Sequence, residues 1–473
     1  MSFPVSFVDP HPGRRALLRR TGDAMRTSLS SCCGFALSAL CALAGLPLHA
    51  QDVTSASPTT RSTRDTTRLT IEEARGVALR NNPELSATRL EVDIARGLRR
   101  QAGILRFNPS ADILASGASG TVSDLSVGQE LEVAGQRGVR RAVAQAGVSR
   151  ATFSVANAER ITLVDVDRGF YRVVTADRRA ELALEVLALN ERLALVASRQ
   201  LREGEISKLD FNLSIIERGR ARARAFAARR EQQQSAIELR RLVGIPETVT
   251  VRAVFDSTVH RHVAVDSGGA QRTDLSAFAV RADMTTQEMI AIALAQRPDL
   301  AERDAAIAQA DADVTLARRE ALPNLIARVV SEQNASGTGR AVRPGVGITI
   351  PLFNRNQGEI DARRAFARQV ALERAVIAAR VRADVEAALR AYQAAAGAIE
   401  VLETTVLGPA RENRRLLESA YREGKVGLAV LLLIRNQVID AEQEYWTAWL
   451  AEREAAAELR AALGSPPTDA RTP

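Results

Sequence analysis

No proline occurs from residue 110 to residue 245, and from about Ala134 to Leu201 only scattered glycines interrupt a run of helix-favouring residues. Those 68 residues predict one helix of about 100 Å at 1.5 Å per residue. Average helices of globular proteins are several-fold shorter. The pattern returns from about Gln357 to Tyr421. There Val385, Leu389, Tyr392, Ala396, Ile399, Leu402 and Val406 recur at steps of three and four, the seam of a coiled coil. Alanine is abundant along both segments and allows close helix approach. Gly408-Pro409 predicts a kink in the second.

The return is part of an internal duplication. Leu69-Thr70-Ile71-Glu72-Glu73-Ala74 matches Met284-Thr285-Thr286-Gln287-Glu288-Met289, and Asn82-Pro83-Glu84-Leu85 matches Arg297-Pro298-Asp299-Leu300, both at an offset of 215. Val127-Gly128 matches Val346-Gly347 at 219, and Leu201-Arg202-Glu203-Gly204 matches Tyr421-Arg422-Glu423-Gly424 at 220. Order is kept and the offset drifts by five. The period far exceeds that of a solenoid repeat, so this is a duplicated half. Each half reads as a short helix (about 70–80 and 285–296), then a helix begun by Pro83 or Pro298. Glu84 and Asp299 suit the positive end of its dipole. That helix runs to about Arg106, or Leu322 in the second half. Two strands, a long helix, a Gly-containing turn and a returning helix follow.

The strands show period-two alternation. Leu125, Val127, Leu131 and Val133 alternate with Ser126, Gly128, Glu130 and Glu132, although Gln129 interrupts the stripe. In the second half Val342, Val346, Ile348, Ile350 and Leu352 alternate with Arg343, Gly345, Gly347, Thr349 and Pro351. Weaker partners are Ala111, Ile113 and Ala115, and Leu325, Ala327 and Val329. Each is about ten residues, the length with which a tilted strand crosses a bilayer. Pro344 predicts a strand end or bulge.

Residues 1–50 read as an export segment. Arg26, the apolar stretch Cys32 to Leu46 and Leu48-His49-Ala50 have the order of a signal peptide, and Met25 stands where one would start. All three cysteines (Cys32, Cys33, Cys41) fall within it, so the exported chain has no disulfide or thiolate site. Residues 51–68 read as a flexible leader, 69–243 as the first repeat, 244–283 as an inter-repeat segment, 284–463 as the second repeat and 464–473 as a frayed tail. The longest later apolar run, Val426 to Ile434, is too short to span a membrane as a helix. An exported chain of this kind is either soluble outside the cytoplasm or a β-barrel.

Composition excludes other classes. Aromatic residues are only 4%, against a base-stacking nucleic-acid binder. The net charge of +8 is interspersed, and only Lys208 and Lys425 are lysines. No catalytic signature is present and no cofactor is implied. His260 and His262 are too few to close a metal site, and Glu72-Glu73 lie at a helix start where the dipole accounts for them. The many arginines on the long helices read as a solvated or snorkelling face.

Taken together, these features resemble the TolC family of outer-membrane efflux channels over about residues 69–463. Its carriers are the two repeat openings, the turn Tyr421-Arg422-Glu423-Gly424-Lys425-Val426-Gly427, and Ile350-Pro351-Leu352-Phe353-Asn354-Arg355-Asn356-Gln357-Gly358. That last segment, with Gln129-Glu130-Leu131-Glu132-Val133-Ala134-Gly135-Gln136-Arg137-Gly138, is similar to the CzcC-type heavy-metal branch. The resemblance implies a mainly α fold with a small β part. It implies a homotrimer whose four strands per chain close a 12-stranded outer-membrane β-barrel, continued into the periplasm by an α-barrel. It further implies a periplasmic adaptor, an inner-membrane pump of the resistance-nodulation-division type and contact with outer-membrane lipid.

By the same resemblance the helical turns are the periplasmic tips that meet the adaptor. The first carries Arg202, Glu203, Gly204 and Lys208, and the second Tyr421, Arg422, Glu423, Gly424, Lys425 and Gly427. Some members carry an Arg and acidic residues beyond the second turn, where this chain has Val426, Val430 and Leu433. Asp210, at the place of Val430 in the first turn, is the candidate pore constriction; capping, or pairing with Lys208, is the alternative. The lysines read equally as adaptor contacts and as exposed charges on helix ends. The function implied is a passive exit duct for heavy-metal cations. A multidrug or type I secretion duct and a periplasmic coiled-coil adaptor are the alternatives.

Overall fold

The computed structural model describes residues 66–116, 121–255, 284–333 and 339–464, all within the compact unit Ser62–Pro473. The export segment, His260, His262 and residues 465–473 lie outside the described residues. Each repeat opens on a capping box. Thr70 accepts from the Glu73 N–H at 3.3 Å while the Glu73 carboxylate accepts from the Thr70 N–H at 2.8 Å. Thr285 and Glu288 repeat this at 3.3 and 2.7 Å. The backbone N–H of the threonine holds each carboxyl below its ordinary pKa. Helices α1 (Ile71–Asn81) and α2 (Pro83–Ala102) follow. Asn82 caps α2 by accepting from Leu85 N–H at 3.0 Å, and Pro83 fills the first position, where a missing N–H costs nothing.

Strands β2 (Ser110–Ser116) and β3 (Thr121–Leu131) lead into α3 (Gln136–Arg202), a single helix of 67 residues. Helix α4 (Lys208–Val243) returns. The second repeat supplies α5 (Thr286–Gln296), α6 (Pro298–Glu320), β5 (Leu325–Gln333), β6 (Arg340–Ile348), α7 (Gln357–Val401), α8 (Leu407–Arg422) and α9 (Leu428–Leu463). Between α7 and α8, residues Leu402–Val406 form a π-helical turn, closed by Leu407 N–H on the Leu402 carbonyl. Pro409 explains the place. It cannot donate to the carbonyl four residues back, and its ring crowds that turn, so the ladder widens just before it. Helices α2 and α6 stop before Arg106 and Leu322: their apolar pattern outlasts their hydrogen bonding, which ends beside Gly103 and Ala321.

Two expectations need correction. Residues 66–68, assigned above to a flexible leader, belong to β1 (Thr66–Leu69), which pairs in parallel with β4 (Thr250–Ala253). A partner some 180 residues distant is invisible to local propensity. Pro344 neither ends nor bulges its strand. It sits in β6 opposite Val329 in unbroken register, on the last strand of the sheet that one chain forms, where a proline breaks no ladder between two strands of the same chain on its open side. The irregularity lies instead in the first hairpin, where β3 carries the extra residue Ser123 opposite the step from Leu114 to Ala115 of β2. Strand β6 also ends at Ile348, leaving Ile350 and Leu352 beyond it.

The four-stranded antiparallel sheet has the order β2-β3-β5-β6. The helices attached to these strands pack in the same order: α2 on α3, α3 on α6, α6 on α7. Pairing also locates the drift of the repeat. Ser110 faces Gly128 and Leu325 faces Ile348, so the offset is 215 on one strand of the hairpin and 220 on the other. The five extra residues therefore belong to the second hairpin and its turn.

Each repeat has a core at its opening, and Trp449 of α9 reaches from the second repeat into that of the first. Ala74 and Ala78 of α1 pack with Val166 and Phe170 of α3 and Leu239 and Val243 of α4. Met289 and Ala293 of α5 pack with Val381 and Val385 of α7 and Leu459 and Leu463 of α9. Both returning helices end in left-handed glycines, Gly244 (φ +73°) and Gly464 (φ +83°), pressed on the junction between the two short helices of their repeat.

Candidate functional site

The chain offers two surfaces of functional interest: the sheet, and the paired helical turns. In antiparallel register, opposed residues share a face. One face carries Ile113, Leu125, Ser331 and Val342 in one row, and Ala111, Val127, Val329 and Pro344 in the next. Below them lie Gln129, Ala327 and Val346, then Leu131, Leu325 and Ile348. Apart from Ser331, Gln129 and the end pair Gln333–Arg340 this face is apolar, yet Ile113, Leu125, Val127, Val329, Val342, Val346 and Ile348 are all exposed in the chain. Gln129 does not project an unpaired amide, because its Nε2 donates to the Phe107 and Glu130 carbonyls, both at 2.8 Å.

The opposite face carries Asp112, Ser126 and Arg343, then Asp124 and Glu332, then Arg328, then Glu130, with Val330 and Ile326 among them. Arg343 pairs with Glu332 at 3.3 Å, and Ser126 donates to Asp112 at 3.2 Å. A half-polar sheet with two open edges is an incomplete object in water or in lipid.

The motifs that carry the resemblance are the knuckles joining sheet to helices. Gly135 (φ +78°) caps α3. Gln136 accepts from Ala134 N–H and donates to Asn324, which in turn donates to Glu130 at 2.7 Å. Arg140 grips Glu132 through two bonds of 2.6 and 2.8 Å, and this guanidinium holds the Glu132 carboxyl below its ordinary range. In the second knuckle Asn356 takes φ +59° and donates to the Ala317 carbonyl at 3.0 Å.

At the far end the two turns lie together. Leu193 and Ala197 of α3, Ile206, Phe211 and Leu213 of the first turn and α4, and Leu417, Tyr421, Val426, Leu431 and Leu432 of the second form one apolar cluster. Both turns close alike. Glu205 N–H bonds the Gln200 carbonyl and Lys425 N–H the Ala420 carbonyl, each at 2.9 Å, with Gly204 (φ +77°) and Gly424 (φ +70°) left-handed. This is a Schellman stop.

They differ at the next helix start. Ser207 caps α4, accepting from Asp210 N–H at 3.1 Å and donating to the Asp210 carboxylate at 2.7 Å. Gly427 gives α9 no side-chain cap. Asp210 is thus engaged in the cap rather than with Lys208, whose ammonium lies 4.8 Å from the Phe211 ring centroid. Lys425 pairs with Glu423 at 2.6 Å. Glu203 ends α3, its N–H on the Arg199 carbonyl at 3.1 Å, and Arg202 donates to Ser198 at 3.4 Å. Arg422 is the last residue of α8. Tyr421 is half-buried, which pushes its hydroxyl pKa up.

Sequence reasoning missed one buried polar site. Asp167 on α3 accepts from Arg75 of α1 at 2.6 and 2.8 Å and from Arg460 of α9 at 2.9 Å. Its signal was a lone acid between Val166 and Phe170. The reading of the long-helix arginines as solvated holds for Arg218, Arg220, Arg222 and Arg224 of α4, all exposed, and fails for Arg435 of α9, which is buried. Among the described residues no group of three His, Cys, Asp or Glu could hold a metal ion, and no helix is long and apolar enough to cross a membrane.

Known proteins share this design. Residues 289–465 match the family described as Outer membrane efflux protein. The chain is 24% identical over 296 residues to the cobalt-zinc-cadmium resistance protein CzcC of Cupriavidus metallidurans, covering 62% of this chain and 65% of that protein. It is 24% identical over 424 residues to protein CyaE of Bordetella pertussis, covering 84% of each. Among solved structures, CusC superposes with a TM-score of 0.67 at 18% identity, over 84% of this chain and 92% of that one. The open-state MtrE outer membrane channel of Neisseria gonorrhoeae gives 0.64 at 20%, over 83% and 88%. The second repeat thus matches the outer membrane efflux family, and the duplicated strand-pair and helix-pair plan as a whole is the fold of these solved outer-membrane channels.

Proposed function

We propose that the protein is the passive outer-membrane exit duct of a tripartite efflux pump, built from three copies and carrying heavy-metal cations. The observation that carries the reading is the sheet. Four strands with one exposed apolar face and one charged face suit a wall between lipid and water, and three copies supply the twelve strands that close such a wall and remove its edges. The long helices below prolong the bore. The metal part rests on the likeness to CzcC and on the charged face. Asp112, Asp124, Glu130 and Glu332 outnumber Arg328 and Arg343 there, a balance that raises local cation concentration. Deleting the gene and plating on Zn²⁺, Co²⁺, Cu⁺ and a drug panel tests it. Sensitivity confined to metals supports the proposal, and sensitivity confined to drugs replaces its substrate.

The wall reading makes opposite demands on adjacent residues. Val127→Arg puts a cation on the lipid face at a cost of about 2–4 kcal/mol near the midplane, whereas Ser126→Arg sets one beside Asp112 on the wet face. Outer-membrane yield should fall sharply for the first and stay near normal for the second.

The turns are proposed as the adaptor contact, through Arg202, Glu203, Gly204 and Lys208 and through Tyr421 to Lys425 with Gly427; Asp210 is proposed to ring the constriction while capping α4. The pump partner is proposed to be of the resistance-nodulation-division type. Lys208→Glu with Lys425→Glu should lower efflux while leaving trimer yield intact. Normal resistance in that double variant would remove the turns from the contact.

A further inference from the structure

Helix α4 carries arginines on more than one flank. Arg218, Arg222, Arg229 and Arg240 follow one another at steps of four, seven and eleven residues, close to whole turns, so they share one flank. The first three are exposed. The last donates to the Glu247 carbonyl at 3.0 Å, in the segment that leads into β4. This is therefore the flank on which β4 and α1 lie against α3 and α4. Glu231, two residues from Arg229 and so on the far flank, pairs instead with Arg179 of α3 at 3.0 Å. The two flanks differ in how their charge is met. Arg168, Arg172 and Arg179 of α3 pair with Glu458, Glu454 and Glu231. Arg218, Arg222 and Arg229 have no ion-pair partner among the described residues, and Arg222 lies 6.0 Å from the centroid of the exposed Phe226 ring. The stripe is long as well as unpaired. From Arg218 to Arg229 it extends about 16 Å, so its guanidinium groups do not converge on one point.

We infer that this flank of α4 binds an extended polyanion outside the tube, the carboxylate-bearing glycan mesh of the cell wall, and that three copies form a basic belt by which the duct is held in that mesh. This rests on the ring reading above, which decides which flank is outside. A bore walled by α3, α4, α7 and α9 of three copies, with axes about 10 Å apart, is about 30 Å across. Three layers of α1 and its strands, each about 10 Å thick, would fill it, so their flank and the stripe face outward. Height selects the anion. Gln232 donates to Asp177 at 2.9 Å, and the span of α3 from the knuckle residue Gln136 to Asp177 is about 60 Å at 1.5 Å per residue. Lipid phosphates are out of reach at that depth. A ligand for charges spread along a helix must repeat its own charge, as the peptide carboxylates of a cross-linked glycan do and a small ion does not. Each exposed contact is weak and screened by salt, so the hold comes from many made at once.

Sedimentation with insoluble cell-wall sacculi reads this directly. The protein in detergent is first sized by light scattering, then mixed with sacculi at low salt and centrifuged. Wild type is expected in the pellet, and to leave it at about 0.5 M salt, where charges are screened within a few ångströms. Arg218→Gln with Arg222→Gln and Arg229→Gln should lower the bound fraction at least about tenfold, since contacts that act together are lost together. Arg220→Gln with Arg224→Gln and Arg230→Gln removes the same charge from the rest of the helix and should bind as wild type does. All six sites are exposed, so neither triple variant should change the helical signal or the mass. Equal binding by wild type and the stripe variant, or an equal fall in both variants, overturns the belt. Sacculi whose carboxyl groups have been amidated should hold little protein; full retention overturns the carboxylate as the group recognised. Lost efflux in the stripe variant with wall binding intact gives the stripe to a protein partner and counts against the proposal. A three-chain mass with no wild-type binding overturns the belt and leaves the ring intact, whereas a single-chain mass overturns both.

Discussion

Gly244→Ala should all but abolish stable protein, whereas Gly204→Ala should be nearly silent, although both glycines are left-handed. At Gly244 the backbone has φ +73°, and a Cβ would run into the Asn81 carbonyl group, its carbon 2.7 Å away, and into Asn82 N at 3.1 Å. The left-handed conformation alone costs a non-glycine residue about 1–2 kcal/mol. The clash adds the cost of overpacking, typically about 1–3 kcal/mol, and here the obstacle is backbone that cannot swing aside. The sum, about 3 kcal/mol or more, falls on the joint where α4 closes against the start of α2. Gly204 at φ +77° has nothing within 4 Å of the same Cβ, so only the conformational cost applies. Denaturant midpoints of the detergent-solubilised variants measure both. Equal midpoints would show that the joint yields more easily than its geometry allows.

Asp167→Ala should be the most damaging change of a single charge. The carboxylate is the shared acceptor of Arg75 and Arg460, and the side chains of Asp167 and Arg75 retain 7% and 14% exposure. Removing it takes two hydrogen bonds from the mostly buried Arg75 guanidinium and one from Arg460. Breaking a buried pair from one side costs about 3–5 kcal/mol. Because α1, α3 and α9 all meet at this carboxylate, the loss should appear as one cooperative shift of the whole unfolding curve. Asp93→Ala is the control. Asp93 pairs with Arg96 at 3.0 Å on the open surface of α2, where ion pairs contribute about 0–1 kcal/mol, so its midpoint should barely move. A shift of similar size in both variants would argue that the Asp167 site is wetter than its burial implies.

What the amino-acid order revealed was governed by locality. The long helices were readable because their residues lack breakers, and the capping boxes because Thr70–Glu73 and Thr285–Glu288 are complete within one turn. Strand faces were readable by alternation, and the register upholds them, including the exception at Gln129, whose amide is spent on nearby carbonyls. Strand β1 was missed because Thr66 to Leu69 becomes a strand only against Thr250 to Ala253. Pro344 was misjudged because a proline's cost depends on whether its strand is an edge, which is a property of the sheet. At the turns, the glycines that stop α3 and α8 were legible, but the engagement of Asp210 with Ser207 was one of several open alternatives. The Asp167 site joins three helices far apart in the chain and has no local motif.

The unequal hairpins bear on what the cell shows its surroundings. In a closed ring of three copies, six strand pairs would rise to the outer rim, and the five-residue surplus would belong to every second one. The paired ladders already differ in length, from Ser110 to Ser116 on β2 and from Leu325 to Gln333 on β5, so long and short strand pairs would take turns around such a wall.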